Sequence, residues 1–111
     1  MNLGVRDAGD VALLDLEGKL TLGDGVDLLR ETIVRLIADG RTRIVINLEK
    51  VPYMDSSGMG ELISSQNKAL GAGGAVRLLN PLKRVYDVLH AVKLDSVFEI
   101  FQEESKAVAS F

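Results

Sequence analysis

Arg43-Ile44-Val45-Ile46-Asn47-Leu48-Glu49-Lys50-Val51-Pro52-Tyr53-Met54-Asp55-Ser56-Ser57-Gly58-Met59-Gly60 is the stretch that decides the fold. Its consecutive β-branched residues Ile44, Val45 and Ile46 read as a strand over Arg43 to Leu48 that is buried on both faces, the signature of a parallel sheet covered by helices. Lys50 to Met54 is a connecting segment broken by Pro52. Ser56 or Ser57 is then expected to cap a helix, because a hydroxyl there accepts from an otherwise unpaired backbone N–H. That helix carries Met59, Leu62, Ile63, Gln66 and Leu70, and Gly71-Ala72-Gly73-Gly74 ends it. A strand running through a short connection into a helix is the unit of an α/β fold.

The same alternation extends in both directions. Toward the amino terminus, Val11 to Glu17 is strand-like, and Leu3 to Asp7 is expected to pair with it through a hairpin at Ala8-Gly9-Asp10. Gly18 to Gly25 is a loop, with Asp24 the expected N-cap of a helix whose Val26, Leu29, Ile33, Leu36 and Ile37 recur at helical spacing. Gly40 is expected to close that helix in a left-handed conformation. Toward the carboxyl terminus, Ala75 to Leu79 is a strand, and Asn80-Pro81 reads as a cap with proline at the first helical position. Leu82, Val85, Val88, Leu89 and Val92 are expected to line the buried face of that helix, Val97 to Phe101 to form the last strand, and Glu103 to Phe111 a short helix. The expected fold is therefore α/β: a single domain over residues 1–111, with a mostly parallel mixed sheet, an antiparallel N-terminal strand and about four helices. Partners of such sheets meet the carboxyl ends of the strands, where the loop Val51 to Ser57 lies.

Composition narrows the chemistry. The chain has 111 residues, enough for one domain, and 47% are hydrophobic and 26% charged, as in an ordinary globular protein. There is no cysteine, which removes disulfides, thiol catalysis and thiolate ligands. With His90 the one histidine, no metal site is expected. The net charge is −3 and the basic residues are scattered, so no direct nucleic-acid binding is expected; Lys83-Arg84, the closest pair, reads as a solvated helix face. The amino terminus lacks the apolar stretch of a signal peptide, and no window has the length to span a bilayer, so a cytoplasmic protein without membrane attachment is expected. Gly23-Asp24-Gly25 and Gly71-Ala72-Gly73-Gly74 lack the lysine and hydroxyl of a phosphate-binding loop, and no cofactor is expected. A hydrolase would need a base and a Gly-x-Ser-x-Gly elbow; the elbow is missing and the single histidine falls near Asp87 on a helix, so the chain does not read as an enzyme.

What remains is Met54-Asp55-Ser56-Ser57-Gly58-Met59-Gly60 at the mouth of the sheet. Two hydroxyls sit where helical N–H groups point outward unpaired. Gly58 and Gly60 keep the surface low and let another backbone approach, and Met54 and Met59 offer adaptable apolar contact. Serine and aspartate are also ordinary helix caps, so the pattern by itself does not separate a cap from a contact surface.

Over nearly its whole length the chain resembles STAS domains, and among them bacterial anti-sigma factor antagonists. The resemblance is carried by the early strand ending at Gly18, by Ile44-Val45-Ile46-Asn47-Leu48, by the signature Tyr53-Met54-Asp55-Ser56-Ser57-Gly58-Met59-Gly60, by Gly73-Gly74 before a strand, and by Val85 to Phe101. It implies that Ser56 is the residue phosphorylated in a partner switch. The unmodified protein would bind an anti-sigma factor that is also a serine kinase; phosphorylation would release it, and a serine phosphatase would reverse the modification. Partner-binding positions implied are Asp55, Ser57, Gly58 and Met59, with Thr21, Gly23 and Asp24 from the preceding loop. This chain departs from the family in Gly18-Lys19-Leu20-Thr21-Leu22-Gly23, where many members carry an acidic pair around the aliphatic residue. The alternative within the same family is a non-switching scaffold or adaptor subunit of a signalling assembly or lipid transporter, in which the serines serve as cap and contact residues.

Overall fold

Ile44, Val45 and Ile46 occupy the middle of the sheet and are shielded completely on both faces. The computed structural model describes residues 1–111. The elements are β1 (Asn2–Ala8), β2 (Val11–Glu17), α1 (Val26–Ala38), β3 (Arg43–Lys50), α2 (Ser56–Gly71), β4 (Ala75–Leu79), α3 (Lys83–Ala91), β5 (Ile100–Phe101) and α4 (Glu104–Val108). The five strands lie in sequence order, β1 antiparallel to β2 and the rest parallel.

That order has a consequence. Parallel crossovers are right-handed, so a sheet that always advances in one direction receives its crossover helices on one face. The core agrees: a cluster of 21 buried residues joins Val26, Leu29, Ile33 and Leu36 of α1, Leu62 and Ala69 of α2, and Val85 and Leu89 of α3 to Leu14, Ile44, Ile46 and Leu78 of the sheet. The opposite face is covered separately. There Val11, Leu13, Val45 and Leu79 cluster with Ala107 of α4, flanked by Phe101, Val108 and Phe111. No helix is long and apolar enough to cross a membrane.

Helix α1 ends as expected. Gly40 has φ 79°, and Gly40 N–H donates to Ile37 O while Arg41 N–H donates to Leu36 O, the paired bonds of a Schellman motif.

Several expected boundaries move, each for a local reason. Asp24 does not cap α1; the N-cap is Gly25, at φ 95° and with no side-chain cap bond, and the Asp24 carboxylate instead accepts from the Met1 amino group at 2.8 Å. Asn80-Pro81 does not start α3. Asn80 stays in the β4–β5 ladder, its N–H donating to Phe101 O at 2.7 Å; its backbone then turns left-handed at φ 52°, and its amide donates to Glu49. The helix begins at Lys83 after Leu82. On α3 only Val85 and Leu89 are buried; Leu82, Val88 and Val92 face outward. The last strand shrinks to Ile100–Phe101 because the N–H groups of Val97 and Phe98 both donate to Leu94 O, in a turn that follows left-handed Lys93. The terminal helix spans Glu104–Val108 within the expected Glu103 to Phe111.

Candidate functional site

Two loops leave the carboxyl ends of β2 and β3 and are sewn together by backbone hydrogen bonds. Gly18 N–H donates to Lys50 O at 3.0 Å, Leu20 N–H to Tyr53 O at 3.0 Å, and Asp55 N–H to Leu20 O at 3.4 Å. Leu20 and Met54 form an isolated parallel bridge, so β2 and β3 continue in effect beyond their regular ladders. The sequential strand order leaves no point of reversal, and so no crevice of that origin, at this end of the sheet. A closed, loop-built surface suits a macromolecule more than a small ligand.

Asp55 organises that surface. It is extended, at φ −98° and ψ −175°, and is the N-cap of α2, accepting from Gly58 N–H through Oδ1 at 2.9 Å. Its other oxygen, Oδ2, accepts from Leu22 N–H at 3.1 Å across the loop pair. The Gly58 and Leu22 N–H groups, in that order of weight, hold the carboxyl below its ordinary value of 3.8, so it is ionised at neutral pH. The cap is thus Asp55, one residue before Ser56 and two before Ser57. Capping in this turn runs through the acid, which leaves Ser56 at the first helical position with its side chain exposed. Ser57 follows it, half-buried.

The neighbouring residues divide into surface and support. Gly58 is buried, and a Cβ built there would collide with the carbonyl oxygen of Leu20. The backbone it admits is therefore the chain's own loop and not that of a visitor. Gly60 faces open space. Met54 is 5% exposed and belongs to the core, and Met59 packs against that core half-buried. Met54 is therefore not a free contact arm. In the preceding loop, Thr21 and Asp24 exchange backbone hydrogen bonds at 2.8 and 2.9 Å and are half-buried, while Gly23 is exposed at φ 83°. The structure thus gathers Thr21, Gly23, Asp24, Asp55, Ser56, Ser57 and Gly58 at one end of the sheet.

One surface residue was not singled out from the sequence: Leu22, 75% exposed at the tip of the loop that Asp55 holds. An apolar residue inside a Gly-Lys-Leu-Thr-Leu-Gly run carries no periodicity to mark which way it points. His90 lies elsewhere, on α3. It meets Asp95 at 2.6 Å instead of the nearby Asp87, and stacks on Tyr86.

A family model described as STAS domain matches residues 3–107. Among solved structures, a Thermotoga maritima protein regarded as an anti-sigma factor antagonist superposes with a TM-score of 0.90 at 22% identity, covering 96% of this chain and 92% of that one. The Bacillus cell fate determinant SpoIIAA in its phosphorylated form gives 0.76 at 24% identity, with 97% of each chain covered. A sulfate transporter family protein from Wolinella succinogenes gives 0.79 at 21% identity, covering 92% of this chain and 84% of that one. At these identities the likeness is one of fold.

Proposed function

The chain belongs to the STAS domain family, and we propose that it is an anti-sigma factor antagonist working as a phosphorylation-controlled partner switch. In this reading the unmodified protein binds an anti-sigma factor with serine kinase activity, transfer of a phosphoryl group to Ser56 releases it, and a serine phosphatase resets the switch. The observation that carries the proposal is that Ser56 is exposed at the start of α2 while the capping is done by Asp55. Modification of Ser56 therefore removes nothing on which the fold depends.

The energetics follow from the same geometry. A phosphate adds close to two negative charges at neutral pH. The amino end of a 16-residue helix accommodates anions, so the free protein tolerates it. A docked partner would have to desolvate that phosphate beside an ionised Asp55. Burying an uncompensated charge costs about 3–5 kcal/mol. Moving a complex from nearly all bound to nearly all free requires about 5.5 kcal/mol of differential affinity. Like-charge repulsion from Asp55 adds to that penalty, so the release requires no large rearrangement of the chain.

Incubation with ATP and a serine kinase of the anti-sigma type tests this. The expected result is a mass gain of one phosphoryl group, abolished by Ser56→Ala. Ser56→Asp should weaken binding of that kinase while leaving the thermal midpoint nearly unchanged. No mass gain with any cognate kinase would favour the adaptor reading. That reading draws its support from the fold shared with the Wolinella transporter-family protein and from Lys19 and Thr21, where the family's acidic pair is missing.

A further inference from the structure

Beside the Ser56 surface lies a small apolar cleft that no part of the switch reading uses. It is lined by Pro52, Tyr53, Met54, Arg84, Val85 and Val88. Met54 and Val85 are buried at 5% and 2% exposure and form its floor, while Tyr53 and Val88, at 54% and 39%, stand around it in solvent. Arg84, Val85 and Val88 share one flank of α3 because positions three and four apart are neighbours on a helix. Val88 was expected to be core from its helical spacing; here it is cleft wall instead.

Two magnitudes and one charge select the occupant. The cleft holds about 130 Å³. Sites for small ligands and cofactors run to roughly 300–1,000 Å³. This volume suits a single inserted side chain. The one charged residue in the lining is Arg84, which makes no ion pair of its own, while its neighbour Lys83 is already satisfied by Asp87 at 2.8 Å. The wider hollow next to β5 differs in this respect, since its acids Asp95 and Glu99 are paired with His90 and Arg77. Exposed tyrosine and arginine around an apolar pocket are the composition of an interface anchor point. Tyr53 and Met54 also run directly into Asp55 and Ser56, so the cleft adjoins the serine turn along the chain.

We infer that this cleft is a second docking point for a protein partner, taking one large aliphatic side chain from a segment that places a carboxylate against Arg84. The inference rests on the partner-switch reading for which protein occupies it, not for the chemistry of the occupant.

Peptides selected on the full-length chain from a random phage-displayed library test it. The selected sequences should converge on one aliphatic anchor with a nearby Asp or Glu. In fluorescence polarisation, Val88→Asp should weaken the selected peptide by at least about tenfold. Arg84→Glu should weaken it too, and a peptide with its acid replaced by lysine should recover binding to that variant. Ser56→Asp should leave peptide binding unchanged, which separates failure here from failure of the phosphorylation switch. Both α3 changes are at exposed positions, and an unchanged thermal midpoint verifies that they fold. Selection of the same peptides by the Val88→Asp chain, or failure of the charge-reversed peptide to rescue Arg84→Glu, overturns the inference. So does concentration-dependent dimerisation abolished by Val88→Asp, because the occupant would then be a second copy of the chain.

Discussion

Asp55 carries two loops on one carboxylate, and its ionisation makes that arrangement measurable. The folded chain holds its titration below the ordinary carboxyl value through the N–H groups of Gly58 and Leu22. A group depressed in the folded state stabilises the fold above its unfolded value, and that contribution disappears as pH falls through the lower folded value. Asp55→Asn keeps a capping oxygen but no charge at any pH. The gap in thermal midpoint between the two chains should be full at neutral pH, begin to close below about pH 4 and vanish in stronger acid. A gap of constant size would show that the charge contributes nothing. Two glycines in the same turn should respond with opposite signs. Gly58→Ala drives a Cβ into the carbonyl of Leu20 and should cost about 1–3 kcal/mol. Gly60→Ala enters open space inside a helix and should add about 0.5–1 kcal/mol. Urea melts of both variants check the pair. The residue scale is where the sequence was least legible. Asp, Ser and Ser are all good caps, and only the register of Leu62, Gln66 and Ala69 against the sheet decides that Asp55 is the one used.

Helix α3 shows what pattern reading captures about an element and what it misses. Its existence follows from the run after Asn80-Pro81, yet five apolar positions over-specify its face. The helix packs against the edge of the sheet, where β5 is two residues long, so only a narrow stripe is covered and Val85 and Leu89 fill it. Leu89→Ala should cost about 2–5 kcal/mol, whereas Val92→Ala, at an equally apolar position in the sequence, should stay within about 0.5 kcal/mol. Chemical denaturation of the two variants distinguishes the covered stripe from the exposed one; equal losses would mean that Val92 is also core. The shortened last strand has a different origin. Val97 to Phe101 has strand composition, but the turn at Leu94 takes the donors of Val97 and Phe98 before a ladder can use them. Composition predicts what a segment prefers; competition for its N–H groups decides what it does. By contrast, β2, β3 and β4 were legible nearly to the residue, because a strand buried on both faces reads as a continuous apolar run whose ends are marked by the polar and turn residues beside it.

At the scale of the whole molecule, sequential strand order puts the crossover helices on one side and leaves the other face of the sheet to the carboxyl-terminal segment. The alternating pattern announced the first layer. It did not announce the second, because a five-residue helix carries too few turns to show a face. The second layer is nevertheless expected to be essential. Val11, Leu13, Val45 and Leu79 are between 0 and 4% exposed, clustered against Ala107 and the flanking Val108 and Phe111. Full burial of such side chains contributes about 1.5–3 kcal/mol each. Their joint exposure is comparable with the 5–15 kcal/mol by which a small domain is stable at all. Deleting Glu103 to Phe111 should therefore abolish a cooperative urea transition, or at least separate the midpoints seen by fluorescence and by circular dichroism. The same segment is tied to the sheet by Arg6, which meets Glu104 at 2.7 Å and Asp15 at 2.5 Å, but these side chains are each more than a third exposed and solvent-exposed ion pairs contribute little. Glu104→Gln should leave the transition within about 1 kcal/mol of its original position. If the point variant were as damaging as the deletion, charge and not apolar cover would be holding the rear of the sheet. The fold would then rest on a surface contact that salt can screen, and its midpoint would fall with ionic strength.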